Sequence, residues 1–178
     1  MSNRNRVVAI CVESPKSKLI DQAYIDKVIK TIYQIPNDIK ISYIPMESKS
    51  RYNYPKVKND LKKAIKDFSE SEVVYCVDLD NYKSDYDTAK LNKDIEDYCK
   101  RNNYRFVWFC RDIEEVFLHE RVADSEKCKK AKQFNSKIGI GKATVASLSQ
   151  NIKSEKKSNF LIVFDKILNR KKDYTPKN

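Results

Sequence analysis

Four short apolar runs, RVVAICV, DIKISYIPM, VVYCVDL and YRFVWFC, recur along the chain and narrow its possible folds more than any other feature. Each is nearly continuous in hydrophobicity, as expected of strands buried on both faces of a parallel sheet. The segments between them have helical periodicity instead. SKLIDQAYIDKVIKTIY sets Leu19, Ala23, Ile25, Val28, Ile29 and Ile32 largely on one face. KVKNDLKKAIKDF does the same with Val57, Leu61, Ala64, Ile65 and Phe68, and DTAKLNKDIEDYCKRNN with Leu91, Ile95, Tyr98 and Cys99. The order βαβαβαβ, with a further helix opening at about Asp112, predicts a Rossmann-like α/β fold: a parallel four-stranded sheet with helices on both faces. Beyond residue 124 the pattern weakens. Both glycines and a Lys-rich stretch precede NFLIVFDKILNRKK, which predicts one compact amphipathic helix. The expected organisation is an α/β core over residues 1–124, with residues 125–178 as extra C-terminal helices packed on it. No internal repeat and no domain linker stands out.

Composition sets the outer bounds. A length of 178 residues suits a single domain that needs no covalent staples. Only two glycines occur, which argues against phosphate-binding fingerprints built on several of them. No apolar run approaches the ~20 residues of a membrane span. The opening MSNRNRVVAICVES places basic residues before an apolar stretch, but Glu13 interrupts it too soon for a signal peptide, so a cytoplasmic protein is expected. The five cysteines form no CxxC pair, and Cys11, Cys76 and Cys110 lie in apolar runs where a thiol acts as a small hydrophobe. A net charge of +11 makes nucleic acid the first partner to consider, although Lys-, Asn- and Tyr-rich chains also arise from AT-rich genomes.

Ligands of parallel α/β folds bind where the carboxyl ends of the strands open onto a crevice. The first run ends in Glu13, the third in Asp78 and Asp80, and the fourth leads into Arg111, Asp112, Glu114 and Glu115. The second leads into PMESKSRYNYPK, which is mainly basic and aromatic apart from Glu47. In extended chain Asp78 and Asp80 would point the same way, and two carboxylates that close repel unless one is protonated or a cation lies between them. Acids in a basic surround suit a hard divalent cation, with Lys and Arg holding a polyanion. The plainer reading is that Asp112 and Glu114 only open a helix near its positive end.

A glutamate after the first strand and an Asp-x-Asp after the third, carried here by VVAICVES and VVYCVDLDN, resemble the Toprim domain. The stretch RFVWFCRDIEEVFLHE further resembles the RloB-like, abortive-infection branch related to OLD-type nucleases, with Glu115 matching its helix glutamate. The resemblance covers about residues 6 to 120. It departs from the family at Ser14, where a glycine is usual, and lacks the usual Asn-Pro before the last helix. It implies a Toprim-like fold and a Mg²⁺- or Mn²⁺-dependent phosphodiester nuclease, acting in defence against phage beside an ABC-type ATPase. Asp78, Asp80, Glu13 and Glu115 would hold the metal, with Glu13 alternatively a general acid/base. Lys16, Lys18 and Arg111 would hold phosphate, and Arg51, Lys137 and Lys142 are further nucleic-acid candidates. The competing expectation is a degenerate module that binds nucleic acid or a partner without cutting.

Other readings carry less weight. Haloacid-dehalogenase-type phosphatases and NYN-type ribonucleases also place acid-x-acid after a strand, but normally the first. SKIGIGKAT departs from a Walker A motif at Ser136 and Ala143 and follows no first strand, so a glycine-flexed loop is expected. His119 would share a helix face with Glu115. Trp108 is expected in the core, while Tyr52 and Tyr54 could stack on unpaired bases. NFLIVFDKIL could dock on a partner.

Overall fold

The computed structural model describes residues 5–136 and 139–172. In chain order these form β1 (Arg6–Val12), α1 (Ile20–Ile32), β2 (Tyr33–Gln34), β3 (Ile39–Pro45), a 3-10 turn (Lys49–Arg51) and α2 (Pro55–Ile65). Then come β4 (Glu70–Asp78), α3 (Tyr86–Arg101), β5 (Arg105–Phe109), α4 (Ile113–Leu118), α5 (Lys127–Ser136), α6 (Val145–Leu148), α7 (Phe160–Phe164) and β6 (Asn169–Arg170). The main sheet has the order β3-β1-β4-β5 with every pair parallel. This is the Rossmann-like arrangement expected from the four apolar runs.

The continuity of those runs has a direct cause. In β1, Val8, Ile10 and Val12 enter one core with Tyr24, Ile25 and Val28 of α1. Ala9 and Cys11 alternate into a second core with Val57 and Leu61 of α2 and Ile95 and Cys99 of α3. Both faces are covered, so no position from Val7 to Val12 can be polar. Burial pushes the Cys11, Cys76 and Cys99 thiols well above their ordinary range, which fits their use as small hydrophobes.

Beyond β5 the chain returns over the α1 face, where Phe117, Phe134, Leu148, Phe160 and Phe164 join the same core as α1. The segment before α7 also seals the outer edge of β5. Asn159 Oδ1 accepts from Trp108 N–H and its Nδ2 donates to Phe106 O, each at 2.9 Å, while Ser158 Oγ donates to Trp108 O at 2.6 Å. A single amide thus does the work of a neighbouring strand. Gly141 lies where only glycine fits: φ is +70° and an added Cβ would sit 2.4 Å from Phe117 O.

The expected single helix over NFLIVFDKILNRKK is not formed. Only Phe160–Phe164 is helical, after which the chain turns and pairs β6 antiparallel with β2. The reason is polar: Asp165 accepts from Tyr33 Oη at 2.9 Å and from Arg170 Nη2 at 2.7 Å, which fastens the turn to the end of α1. No described helix is long and apolar enough to cross a membrane.

Candidate functional site at the carboxyl edge of the sheet

The connections leave β1 in opposite directions. Through α1 the chain passes to β3 on one side, and through α2 it then passes to β4 on the other. Such a reversal opens a crevice between the carboxyl ends of the two central strands. Glu13 and Asp78 flank it. Glu13 Oε1 accepts a hydrogen bond from Asp78 N–H at 2.8 Å, so two residues 65 positions apart in the chain are locked together.

Ser14 explains how the β1–α1 loop is held. Its N–H donates to Asp21 Oδ2 and its Oγ accepts from Asp21 N–H, both at 2.8 Å. The residue preceding α1, Leu19, supplies no side-chain cap. Ser14 therefore satisfies an otherwise orphaned N–H in the first turn of α1 from outside the helix. A glycine here would lose that bond.

Asp80 departs from the expected shared face. The strand ends at Asp78, Leu79 is fully buried beside Trp108 and Cys110, and Asp80 adopts a left-handed φ of 49°. Its side chain is 54% exposed and is engaged by Lys49, whose own side chain is 9% exposed. Lys49 Nζ also donates to Asp78 O at 2.6 Å. A cation does lie between the two carboxyl-bearing residues, and it is a lysine from the loop after β3. In a chain this rich in lysine nothing marks Lys49 in advance.

The fourth loop contributes a second acidic layer. Asp112 caps α4, with Oδ1 accepting from Glu115 N–H at 2.7 Å. The carboxylates of the next residues point inward. Glu114 is 1% exposed, neither of its oxygens has a hydrogen-bond partner, and Lys127 Nζ of α5 stands 3.5 Å away. Glu115 is buried with Arg111 Nη1 3.6 Å from Oε2. Helix-opening position alone would leave Glu114 solvated, so its enclosure is a finding of the fold. A cavity of about 240 Å³ adjoins this layer, lined by Asp80, Asn81, Arg111, Asp112, Glu115 and Arg121.

Electrostatics follow from this crowding. Burial pushes the Glu13 carboxyl up to about 7; Lys49 and the Asp78 N–H oppose the rise, while Asp21 and Asp80 add to it. Burial also raises Asp78 well above the ordinary carboxylate range, reinforced by Glu13, then Asp21, Glu114 and Asp112. Glu114 rises to about 7 for the same leading reason. Such groups either hold protons or await a cation. Backbone strain collects at the same edge: Leu19, Glu47, Asp80 and Arg111, one in each loop that follows a strand of the main sheet, have φ of 41°, 68°, 49° and 65°. Left-handed backbone costs an L-residue on the order of 1 kcal/mol and is retained where a site needs it.

The remaining candidates divide. Lys16 and Lys18 are exposed in the β1–α1 loop, and Arg51 is tied to Glu47 in the loop after β3. Lys142 lies beside His119, and Lys137 lies outside the described residues. His119 does not share a helical face with Glu115. It is the left-handed C-cap of α4, its Nε2 has no hydrogen-bond partner, and burial with Lys156 and Lys142 lowers its pKa. Trp108 is buried as expected. Tyr52 is half-buried and meets Tyr98 in a T-shaped contact with ring centroids 5.2 Å apart, whereas Tyr54 is 50% exposed. Sequence pattern does not single out Lys49, Asp21, Lys127 or Arg121 as members of the site, nor the enclosure of Glu114, because each is brought there by tertiary placement. Among the described residues, no group of three or more His, Cys, Asp or Glu side chains is arranged to hold a metal ion. No family model, characterised protein or solved structure matches the chain.

Proposed function

We propose that the protein is a Mg²⁺- or Mn²⁺-dependent nuclease that cleaves phosphodiester bonds of DNA or RNA at the crevice between β1 and β4. The observation that carries the reading is the Glu13–Asp78 hydrogen bond of 2.8 Å, with both carboxyls raised first by burial and then by neighbouring carboxylates, Asp21 and Asp80 around Glu13 and Glu13 itself beside Asp78. Hard oxygen donors that are costly to leave charged suit a small divalent cation. When bound, the metal would polarise a phosphoryl oxygen and lower the pKa of a water. Glu13 and Asp78 are the primary ligands in this reading. Asp80, held by Lys49, and Glu115 of α4 would have to complete the set. Arg111 of the loop after β5 and Lys16 and Lys18 of the β1–α1 loop would hold phosphate. The resemblance to Toprim-type defence nucleases extends the proposal to action against mobile elements beside an ATPase partner.

A second reading is favoured by one observation: the Lys49 ammonium already neutralises Asp80 and is itself buried. A degenerate site stabilised by its own cation would bind nucleic acid or a partner without cutting. Incubation of labelled single- and double-stranded substrates with Mg²⁺ or Mn²⁺, wild type beside Asp78→Ala, separates the two. Cleavage lost in the variant with binding retained supports the nuclease. Binding unchanged in both, with no cleavage under either metal, supports the module.

A further inference from the structure

We infer that α2, with Tyr54 at its head, is a rail for single-stranded nucleic acid leading to the carboxyl edge of the sheet. The inference rests on the phosphodiester reading for the destination of the strand, but not for its binding. α2 begins at that edge, a few residues after Lys49, and runs down the flank of the sheet. Val57 and Leu61 are buried beneath it, which turns Lys58, Lys62, Lys63 and Lys66 outward, and all four are exposed. Lys58, Lys62 and Lys66 succeed one another every four residues along one stripe, ~6 Å apart in rise.

What sets this row apart is its spacing on one helix: exposed lysines without an ion pair also occur singly elsewhere, as at Lys100 and Lys132, while Lys30 and Lys93 pair with Asp26 and Asp97. Among the described residues, none of the four α2 lysines forms an ion pair, and the first turn of α2 carries no acid. Like charges four apart on a helix repel, so the row works against folding and is relieved by a polyanion. The occupant is specified further by Tyr54, the residue before α2, which is exposed with Arg51 Cζ 6.0 Å from its ring. An exposed ring at the head of an ammonium row matches the combination of base stacking and backbone tracking used on single strands. An anionic membrane fits less well, because among the described residues only Tyr54 and Leu19 are large exposed apolar side chains near α2.

The test is fluorescence anisotropy with a short labelled single-stranded oligonucleotide in EDTA over a salt series, which removes any dependence on metal or cleavage. For K58A/K62A/K63A/K66A the slope of log K against log salt should flatten by roughly 3, at about 0.7 for each single-strand phosphate no longer neutralised. K129A/K132A/K166A/K172A removes the same charge from exposed lysines elsewhere and should leave the slope unchanged. Tyr54→Ala should weaken binding on the order of tenfold, with Tyr54→Phe retaining it. Equal flattening in both quadruple variants overturns the inference, as does a wild type that binds anionic vesicles but not the oligonucleotide. Duplex binding insensitive to Tyr54→Ala overturns it too. Intact oligonucleotide binding through α2 in a protein that cuts nothing would refute the nuclease alone.

Discussion

Glu114→Gln should make the protein's stability less dependent on pH, in a direction opposite to that of an acid whose pKa the fold lowers. In the folded state burial holds the Glu114 carboxyl at about 7, against an ordinary 4.5. Between these values the folded chain keeps a proton that the unfolded chain releases, so stability falls as pH rises. The contribution is fully present below 4.5, is lost through 7 and levels off above. At ~1.4 kcal/mol per pH unit the gap amounts to ~3 kcal/mol. Because the side chain is only 1% exposed, solvent screening removes little of this. Lys127 at 3.5 Å already opposes the rise, and its effect is contained in the value of about 7. Gln is near in shape and neutral throughout. Urea denaturation of both proteins between about pH 4.5 and 8 should show Glu114→Gln gaining up to ~3 kcal/mol on wild type toward the alkaline end, and little at the acid end. Groups remote from Glu114 titrate alike in both proteins and cancel in the difference, whereas Asp78 and Lys127, both raised by its charge, do not cancel fully. A difference that is flat with pH, or a wild type that gains on the variant as pH rises, would refute the buried placement of this acid without hydrogen bonds.

Three further outcomes probe the supports of the site. Ser14→Ala removes the acceptor for Asp21 N–H and should cost ~1 kcal/mol in urea denaturation. Gly141→Ala places a Cβ against Phe117 O in a left-handed turn and should lower stability by ~2 kcal/mol or more, measured by the same method. Asn159→Leu leaves Trp108 N–H and Phe106 O without partners and should cost ~3 kcal/mol. Asn159→Leu should also raise aggregation, followed by light scattering, because the edge of β5 is unsealed.

The sheet and its flanking helices are legible in the sequence because burial on both faces leaves an unmistakable signature. Val8, Ile10 and Val12 point to α1 while Ala9 and Cys11 point to α2, so neither set can be polar. Convergence of Glu13 on Asp78 is partly legible, since the carboxyl ends of parallel strands share one edge of the sheet, while the β1–β4 pairing that joins them is set by the strand order. What escapes the sequence depends on side chains that come from afar. The left-handed turn at Asp80 is set by its N–H donating to Arg111 O at 2.7 Å, a bond to the loop after β5. No local pattern distinguishes Lys49 from the other lysines, and its role arises only when the loop after β3 folds over Asp80. The apolar run after Asn159 reads as helical throughout because periodicity cannot register that Asp165 binds Arg170 and Tyr33 and so bends the chain back. Ser14 reads as a loss beside the glycine of the family it resembles, yet its bonds to Asp21 give it a use of its own.

The nuclease account depends on Glu13 and Asp78 jointly receiving a divalent cation, and calorimetric titration of Mn²⁺ into nucleic-acid-free protein measures that without any cleavage step. The account predicts saturable binding to wild type that is abolished by Asp78→Asn and strongly weakened by Glu13→Gln, with both variants folded by circular dichroism. Absence of saturable binding to wild type, or equal binding to all three proteins, would contradict it.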